Sequence, residues 1–368
     1  MQEPFEEWEG ERRSLLSRRI SELGLSIKGT LVERLVTQLY DELAAKQLAF
    51  RPPVYLSDQW GCPDDTPLIG IPFYLADPRL ARIEEEIAVE VEGEPDVMRY
   101  LRHEAGHAFN YAYRLYDRAD WRQTFGPYSR PYRDRFRVDP FSRDHVRHIL
   151  GWYAQKHPDE DFAETFAVWL TPEADWRARY AGWPALRKLE YVDRVLTEVG
   201  ADAPEALAPT ADDLPVEAMD YTVEEHYRTV DAPLPIEDET HFDGDLRTIF
   251  DASSVDRGSP GDSSGAGAGL ARSDDASQAT DPRERAADFL RAHRREIVRR
   301  ISYWTGESAP AVRQFVDLLA QRAEALDLSV RDRESSTLIE LAAFGTAVMM
   351  NFRYTNTLEG TPPEEPDA

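Results

Sequence analysis

Cysteine is nearly missing from this chain: Cys62 is the one thiol in 368 residues. A lone cysteine excludes an intrachain disulfide framework and suits a reducing compartment. Long apolar runs are missing as well. The best stretch, Leu338 to Phe352, is broken by Glu340 and Asn351, short of the roughly 18 uninterrupted residues that a membrane-crossing helix needs. The opening residues, Met1 to Glu7, have neither the basic nor the apolar region of a signal peptide. Positive charge is scarce, with 43 Lys and Arg against 69 Asp and Glu, a net −26. Such a chain would be repelled by a phosphate backbone. These shortages together lead us to expect a cytoplasmic protein that binds neither nucleic acid nor membrane.

What is present suffices for a sizeable core, since 42% of residues are apolar, and the length allows two or three domains. Residues 1–50 carry two amphipathic helical patterns. The clearer one spaces Leu31, Leu35, Leu39 and Leu43 four apart. Beyond Pro52 and Pro53, strands are expected at Val54–Leu56, at Leu68–Leu75 and at Ile87–Val91, the second demoted to an edge or bulged strand by Pro72. A long helix is expected over about 96–116. After it, 118–147 has no period and is expected to be a long loop, which in a compact domain is usually functional or disordered. Helices should follow from Pro158, a residue suited to a first turn, and from Pro184 to Val199, ended by Gly200.

The character changes after Gly200. Residues 201–282 hold 20 Asp and Glu against four Arg and no Lys. The middle of this stretch, 251–281, is Ser, Gly, Ala and Asp, the composition of a flexible linker. Its earlier part, 215–250, holds Tyr221, Tyr227 and Phe242 and is expected to drape over a folded surface. Three further helical patterns, 283–304, 309–326 and 331–354, predict a three-helix bundle over 283–358.

The residues with the clearest chemistry are His103-Glu104-Ala105-Gly106-His107 inside the long helix. Histidines at i and i+4 lie one above the other, so both imidazoles can reach one metal ion, and Glu104 stands beside them as a base for an activated water. A catalytic zinc ordinarily takes a third protein ligand and leaves a position open. The best candidates stand beyond an interval of 52 residues after His107, where Glu160 and Glu164 share one helix face. One can bind the metal while the other takes the second N–H of a ligand histidine.

With these residues in place the chain resembles the gluzincins, HExxH metallopeptidases whose third ligand is a glutamate on a later helix, and among them the bacterial zinc-binding metallopeptidases. The run from Tyr153 through His157-Pro158 to Glu160-Asp161-Phe162-Ala163-Glu164-Thr165-Phe166-Ala167 carries the resemblance, and it is similar in spacing to the protease domain of anthrax lethal factor. The resemblance covers about 55–200. It implies one Zn2+ per chain held by His103, His107 and Glu160, with Glu164 behind a ligand and Tyr153 as donor to the transition state. The family's amino-terminal zinc-ribbon cysteines are absent here, so nothing tied to that module carries over.

Other candidates have plainer readings beside their functional ones. Cys62 is a rival metal ligand, as in deformylases, or a small buried thiol. His145 and His148 are a proton donor or second metal site, or a half-exposed helix face. Arg118, Arg122, Arg130, Arg133, Arg135, Arg137, Arg143 and Arg147 recognise a carboxylate, or pair with the surplus acids of the chain. Leu68–Leu75 holds an extended peptide by backbone pairing, or is a core strand.

The expected architecture is therefore α+β: a zincin-like metallopeptidase domain over 1–200, an acidic linker over 201–282 and a small α-helical bundle. The expected function is zinc-dependent peptide-bond hydrolysis with Glu104 as general base, acting on a peptide or protein. The alternative is a non-catalytic metal-binding scaffold that recruits a protein partner through 283–358. A further idea is that the acidic segment covers the cleft.

Overall fold

The computed structural model describes residues 3–88, 92–133, 136–204, 215–230, 234–236, 238–252, 284–355 and 357–358. The protein is mainly helical with small sheets. Helix α1 (Glu3–Leu16) is followed by α2 (Leu31–Ala45). Thr30 caps α2 by accepting the Glu33 N–H, and Glu33 reaches back to the Gly29 N–H, a reciprocal arrangement that satisfies orphan donors. Leu35, Leu39 and Leu43 of the expected stripe are buried, while Leu31, in the first turn, is partly exposed.

Strands β1 (Val54–Ser57) and β2 (Ile69–Pro72) pair in parallel, Val54 opposite Ile69. Every residue of β2 is buried. Its other edge is taken at Gly70, which exchanges backbone hydrogen bonds with Gly61. It is thus a core strand, not an open edge for a peptide. The strand expected at Ile87–Val91 is not formed: Ile87 ends a helix, α3 (Pro78–Ala88), and 89–91 lie outside the described residues. Leu80, Ile83 and Ile87 fall on one helical face packed against the Trp8 and Leu15 face of α1, and that longer-range burial outweighs the local alternation.

Two helices dominate the centre. The first, α4 (Glu94–Ala112), starts with Pro95 in its first turn and ends short of the expected residue 116, because Leu115–Asp117 tighten into a 3-10 turn. It is followed by α5 (Ala119–Phe125), within the expected loop, and by α6 (Pro158–Leu170). All thirteen residues of α6 are buried. His157 caps α6 through its side chain, and Asp159, Glu160 and Asp161 occupy the first turn, where carboxylates are favoured by the backbone N–H groups. A short turn, α7 (Trp176–Arg179), leads to α8 (Ala185–Val199), which closes on Gly200 as expected.

The acidic segment is partly folded. Helix α9 (Val223–Val230) and the turn before it bury Val216, Met219, Val223 and Tyr227 against α1 and α3. Helix α10 (Asp243–Ile249) and strand β3 (Asp251–Ala252) belong instead to the carboxy-terminal body. That body continues with α11 (Ala286–Ala292), α12 (Arg294–Thr305), α13 (Ala309–Ala325), β4 (Leu328–Ser329) and α14 (Glu334–Thr355). Of the expected linker middle, 251–281, Asp251 and Ala252 form β3, and 253–281 lies outside the described residues. The expected three helices become four plus α10. His293 and Arg294 interrupt the apolar stripe between Leu290 and Ile297, so the first pattern divides at His293.

Helices α4 and α6 come into close backbone contact at Gly106. A Cβ built there would stand 2.7 Å from Ala163 Cα. Gly106→Ala would gain up to about 1 kcal/mol of helix propensity, but backbone cannot yield as a side chain does, and overpacking costs about 1–3 kcal/mol. We expect a net loss of stability, measurable by urea denaturation, and a larger loss in metal affinity because the helices carrying the donors are pushed apart.

Candidate metal centre

The close approach brings five side chains of α4 and α6 into one buried cluster. His103 Nε2, His107 Nε2 and Glu160 Oε2 form a triangle with all three edges at 3.1 Å. The other ring nitrogens face carboxylates: His103 Nδ1 is 2.9 Å from Glu164 Oε1, and His107 Nδ1 is 2.8 Å from Asp159 Oδ2. If each Nδ1–H is donated to its carboxylate, both Nε2 atoms present lone pairs to each other and to Glu160. Three converging acceptors repel one another unless a cation lies between them. Zinc–nitrogen bonds of about 2.0–2.1 Å around a tetrahedral ion would set ligand atoms about 3.3 Å apart, close to the edges found. The donor set therefore fits a divalent metal, and among the described residues these three are the one such group.

Charge supports the same conclusion. Asp159, Glu160, Glu164 and Glu104 are all buried around two imidazoles, a concentration of negative charge that requires compensation. Burial resists charging of His103, but Glu160 and Glu164 outweigh it and raise its pKa to about 9. His107 is raised too, by Asp159 and Glu160 against the same burial. Glu160 is held well below the usual carboxylate range, since the histidines outweigh its burial. Glu104 goes the other way: burial raises it most, partly offset by His103 and His107.

Glu164 and Asp159 hold the ligands in place. Glu164 Oε2 also accepts the backbone N–H groups of His148 and Ile149, at 3.2 and 2.8 Å. Asp159 accepts from Asn110 Nδ2 and the Tyr111 hydroxyl, both at 2.6 Å. Asp159, Asn110 and Tyr111 were not singled out from sequence, although Asn110 stands one turn beyond His107 and Asp159 beside Glu160. Tyr132 was also missed. Its hydroxyl donates to Glu160 Oε1 and lies 3.4 Å from the Tyr153 hydroxyl. Nothing local marks Tyr132, which sits in the aperiodic stretch 118–147.

Tyr153 opens a 3-10 turn directly before α6, and its ring lies 5.7 Å from that of His103. The two residues before it, Gly151 and Trp152, both have left-handed backbone, with φ of 73° and 56°. For tryptophan this conformation costs about 1–2 kcal/mol, and Arg147 stacks over the Trp152 ring. Burial, followed by the charge of Glu160, pushes the Tyr153 pKa up, so its hydroxyl keeps its proton.

The remaining candidates divide: Cys62 stays a thiol, His145 and His148 lie in irregular chain and not on the helix face expected for them, and the arginines differ among themselves. Cys62 Sγ bonds the Thr66 carbonyl, and burial together with Glu104 keeps it a thiol. It is not in the metal triangle. His148 Nε2 donates to the Arg99 carbonyl, and burial lowers the pKa of both His145 and His148. Arg118 pairs with Asp120 and Glu198, and Arg122 with Asp117. Of the eight arginines, Arg130 alone lines a pocket at the metal triangle, and Arg135 lies outside the described residues. No described residue of 201–282 lines the space around the site. No described helix is long and apolar enough to cross a membrane.

Two open spaces meet over the cluster. One, about 490 Å3, is lined by Cys62, Tyr111, Tyr128, Arg130 and Tyr132. The other, about 840 Å3, runs toward α12. Trp60, His103, Glu104 and Tyr153 border both, while His107 and Glu160 line the smaller space alone, so the donors lie in the smaller space, next to where the two meet.

We expect the purified chain to carry one divalent ion, whose removal by chelation lowers the melting temperature, since a ligand at 100 times its Kd adds about 2.7 kcal/mol. Glu164→Gln and Asp159→Asn should each weaken metal binding by about 10- to 100-fold, read by competition with a chromogenic chelator. Compared with known families, characterised proteins and solved structures, the chain matches none.

Proposed function

We propose that the chain is a zinc-dependent peptidase of the gluzincin type, with a zincin-like catalytic domain over about 1–200. The observation that carries this reading is the set of three converging donors lining one open space, with Glu104 beside them where that space meets a second. A zinc ion held by His103, His107 and Glu160 supplies Lewis acidity, making water nucleophilic near neutral pH and polarising a carbonyl oxygen.

The protein's own groups move the protons. Glu104 borders both arms of the cleft, and its raised pKa suits a base that must also act as an acid. It takes a proton from the attacking water as the oxygen joins the scissile carbon. It then delivers that proton to the amide nitrogen as the C–N bond breaks. Tyr153 donates a hydrogen bond to the carbonyl oxygen as negative charge develops there. Tyr132 fixes the second oxygen of Glu160 and so orients that ligand. The substrate class is a peptide or protein, and the single thiol suits a cytoplasmic setting.

Three variants test these roles on a quenched-fluorescence peptide mixture with zinc content measured in parallel. Glu104→Gln should keep its zinc and lose about 10^2- to 10^4-fold in kcat. Tyr153→Phe should lose about 10^2-fold or more in kcat with KM little changed, whereas Tyr132→Phe should act mainly through weaker zinc binding. A Glu104→Gln protein with near-normal turnover would remove the assigned base and the peptidase reading with it.

A further inference from the structure

The larger arm of the cleft has two walls from different bodies. One belongs to the metal centre and its surroundings: Trp60, Tyr100, His103, Glu104 and Tyr153. The other is the end of α12 and the turn to α13. This second wall is fixed to the first by a close backbone contact. A Cβ on Gly151 would stand 2.6 Å from Gly306 Cα, and the buried Arg353 of α14 donates to the Thr305 carbonyl beside it. The same Gly151 begins the left-handed pair that aims Tyr153. The carboxy-terminal wall is therefore built into the site rather than attached to it.

The groups that this wall presents are unusual for the chain. Tyr303 and Trp304 are 48% and 54% exposed, and their rings meet edge to face at 5.0 Å. Few large apolar side chains are this open among the described residues, and these two are adjacent. The charges of the cleft are mostly satisfied. Arg99 pairs with Asp96, Arg300 with Glu296, and Glu92 accepts from Trp60 and Tyr74. Arg299 has no carboxylate within ion-pair distance among the described residues, in a protein where acids outnumber bases 69 to 43. An exposed, unpaired cation beside two exposed rings matches a ligand with a bulky apolar group next to a carboxylate.

We propose that this wall is the substrate-selecting subsite: it takes a polypeptide segment in which an aromatic side chain packs on Tyr303 and Trp304 and a neighbouring acidic side chain pairs with Arg299. The assignment rests on the peptidase reading only for the word substrate, because binding is measured separately from cleavage.

The test uses the full chain bearing Glu104→Gln, loaded with zinc, and fluorescein-labelled dodecapeptides with a central Phe-Glu, Ala-Glu, Phe-Lys or Ala-Lys. Anisotropy should rank Phe-Glu tightest. Trp304→Ala should weaken Phe-Glu binding about tenfold and erase the difference between the Phe and Ala peptides. Arg299→Glu should reverse the preference for Glu over Lys. Both substitutions are on exposed side chains, and unchanged zinc content and melting temperature would confirm that the fold is intact. Four peptides bound alike, or variants that leave the ranking as it was, would overturn the subsite. Cleavage by the unsubstituted chain is scored alongside. Selective binding with no cleavage of any peptide keeps the subsite and removes the peptidase reading; cleavage with no selectivity does the reverse.

Discussion

The structure depends first on how near two buried helices come at Gly106 and Ala163. Glu160 and Glu164 flank Ala163 by one turn in sum, and His103 and His107 flank Gly106 in the same way. Bringing the two small residues into backbone contact necessarily faces the histidines with the carboxylates. A wider separation would leave each imidazole nitrogen and each carboxylate buried without its partner, at a cost of several kcal/mol per charged group. The glycine inside the HExxH run thus serves helix packing, and the metal geometry is its consequence.

From that contact outward, the polar groups interlock in layers. The two ligand histidines are oriented by Glu164 and Asp159, and these are held in turn by backbone N–H groups, Asn110 and Tyr111. Each layer fixes the tautomer and angle of the one inside it. The arrangement places a concentrated negative charge under a cleft while leaving Glu104 outside the bonded network, where burial raises its pKa instead of pairing lowering it. That difference between Glu104 and Glu160, two buried carboxylates that both feel the charge of the same imidazoles, separates a group suited to moving protons from one suited to holding a cation.

The second body gives this cluster its setting. Its helices close one side of the cleft and brace the turn that carries Tyr153 through the paired glycines 151 and 306. The part of the acidic segment that is described is divided between the bodies: α9 covers α1 and α3, while α10 joins the carboxy-terminal core. None of it reaches the cleft. The aromatic residues of 215–250 led us to expect that part to lie over a folded surface, and its apolar residues Val216, Met219, Val223, Tyr227 and Phe242 are buried and decide where it lies.

Local pattern was enough to find the HExxH helix, the start of α6 at Pro158, the end of α8 at Gly200 and the shared face of Glu160 and Glu164. In each case the signal lies within one or two turns of chain, where periodicity and capping act directly. It was not enough at Ile87, where alternation suggested a strand but burial against α1 produced a helix. Nor did it find the break at His293, where two polar residues interrupt the stripe between Leu290 and Ile297. Tyr132 and Asp159 were missed because their partners are 28 and 52 residues away, beyond any local period. The sequence by itself determined which residue types could hold a metal and on which helix faces they stand. Only the tertiary structure decided that the two faces meet, which groups orient the ligands and which body walls the cleft, because those depend on close contacts between segments that no short-range spacing records.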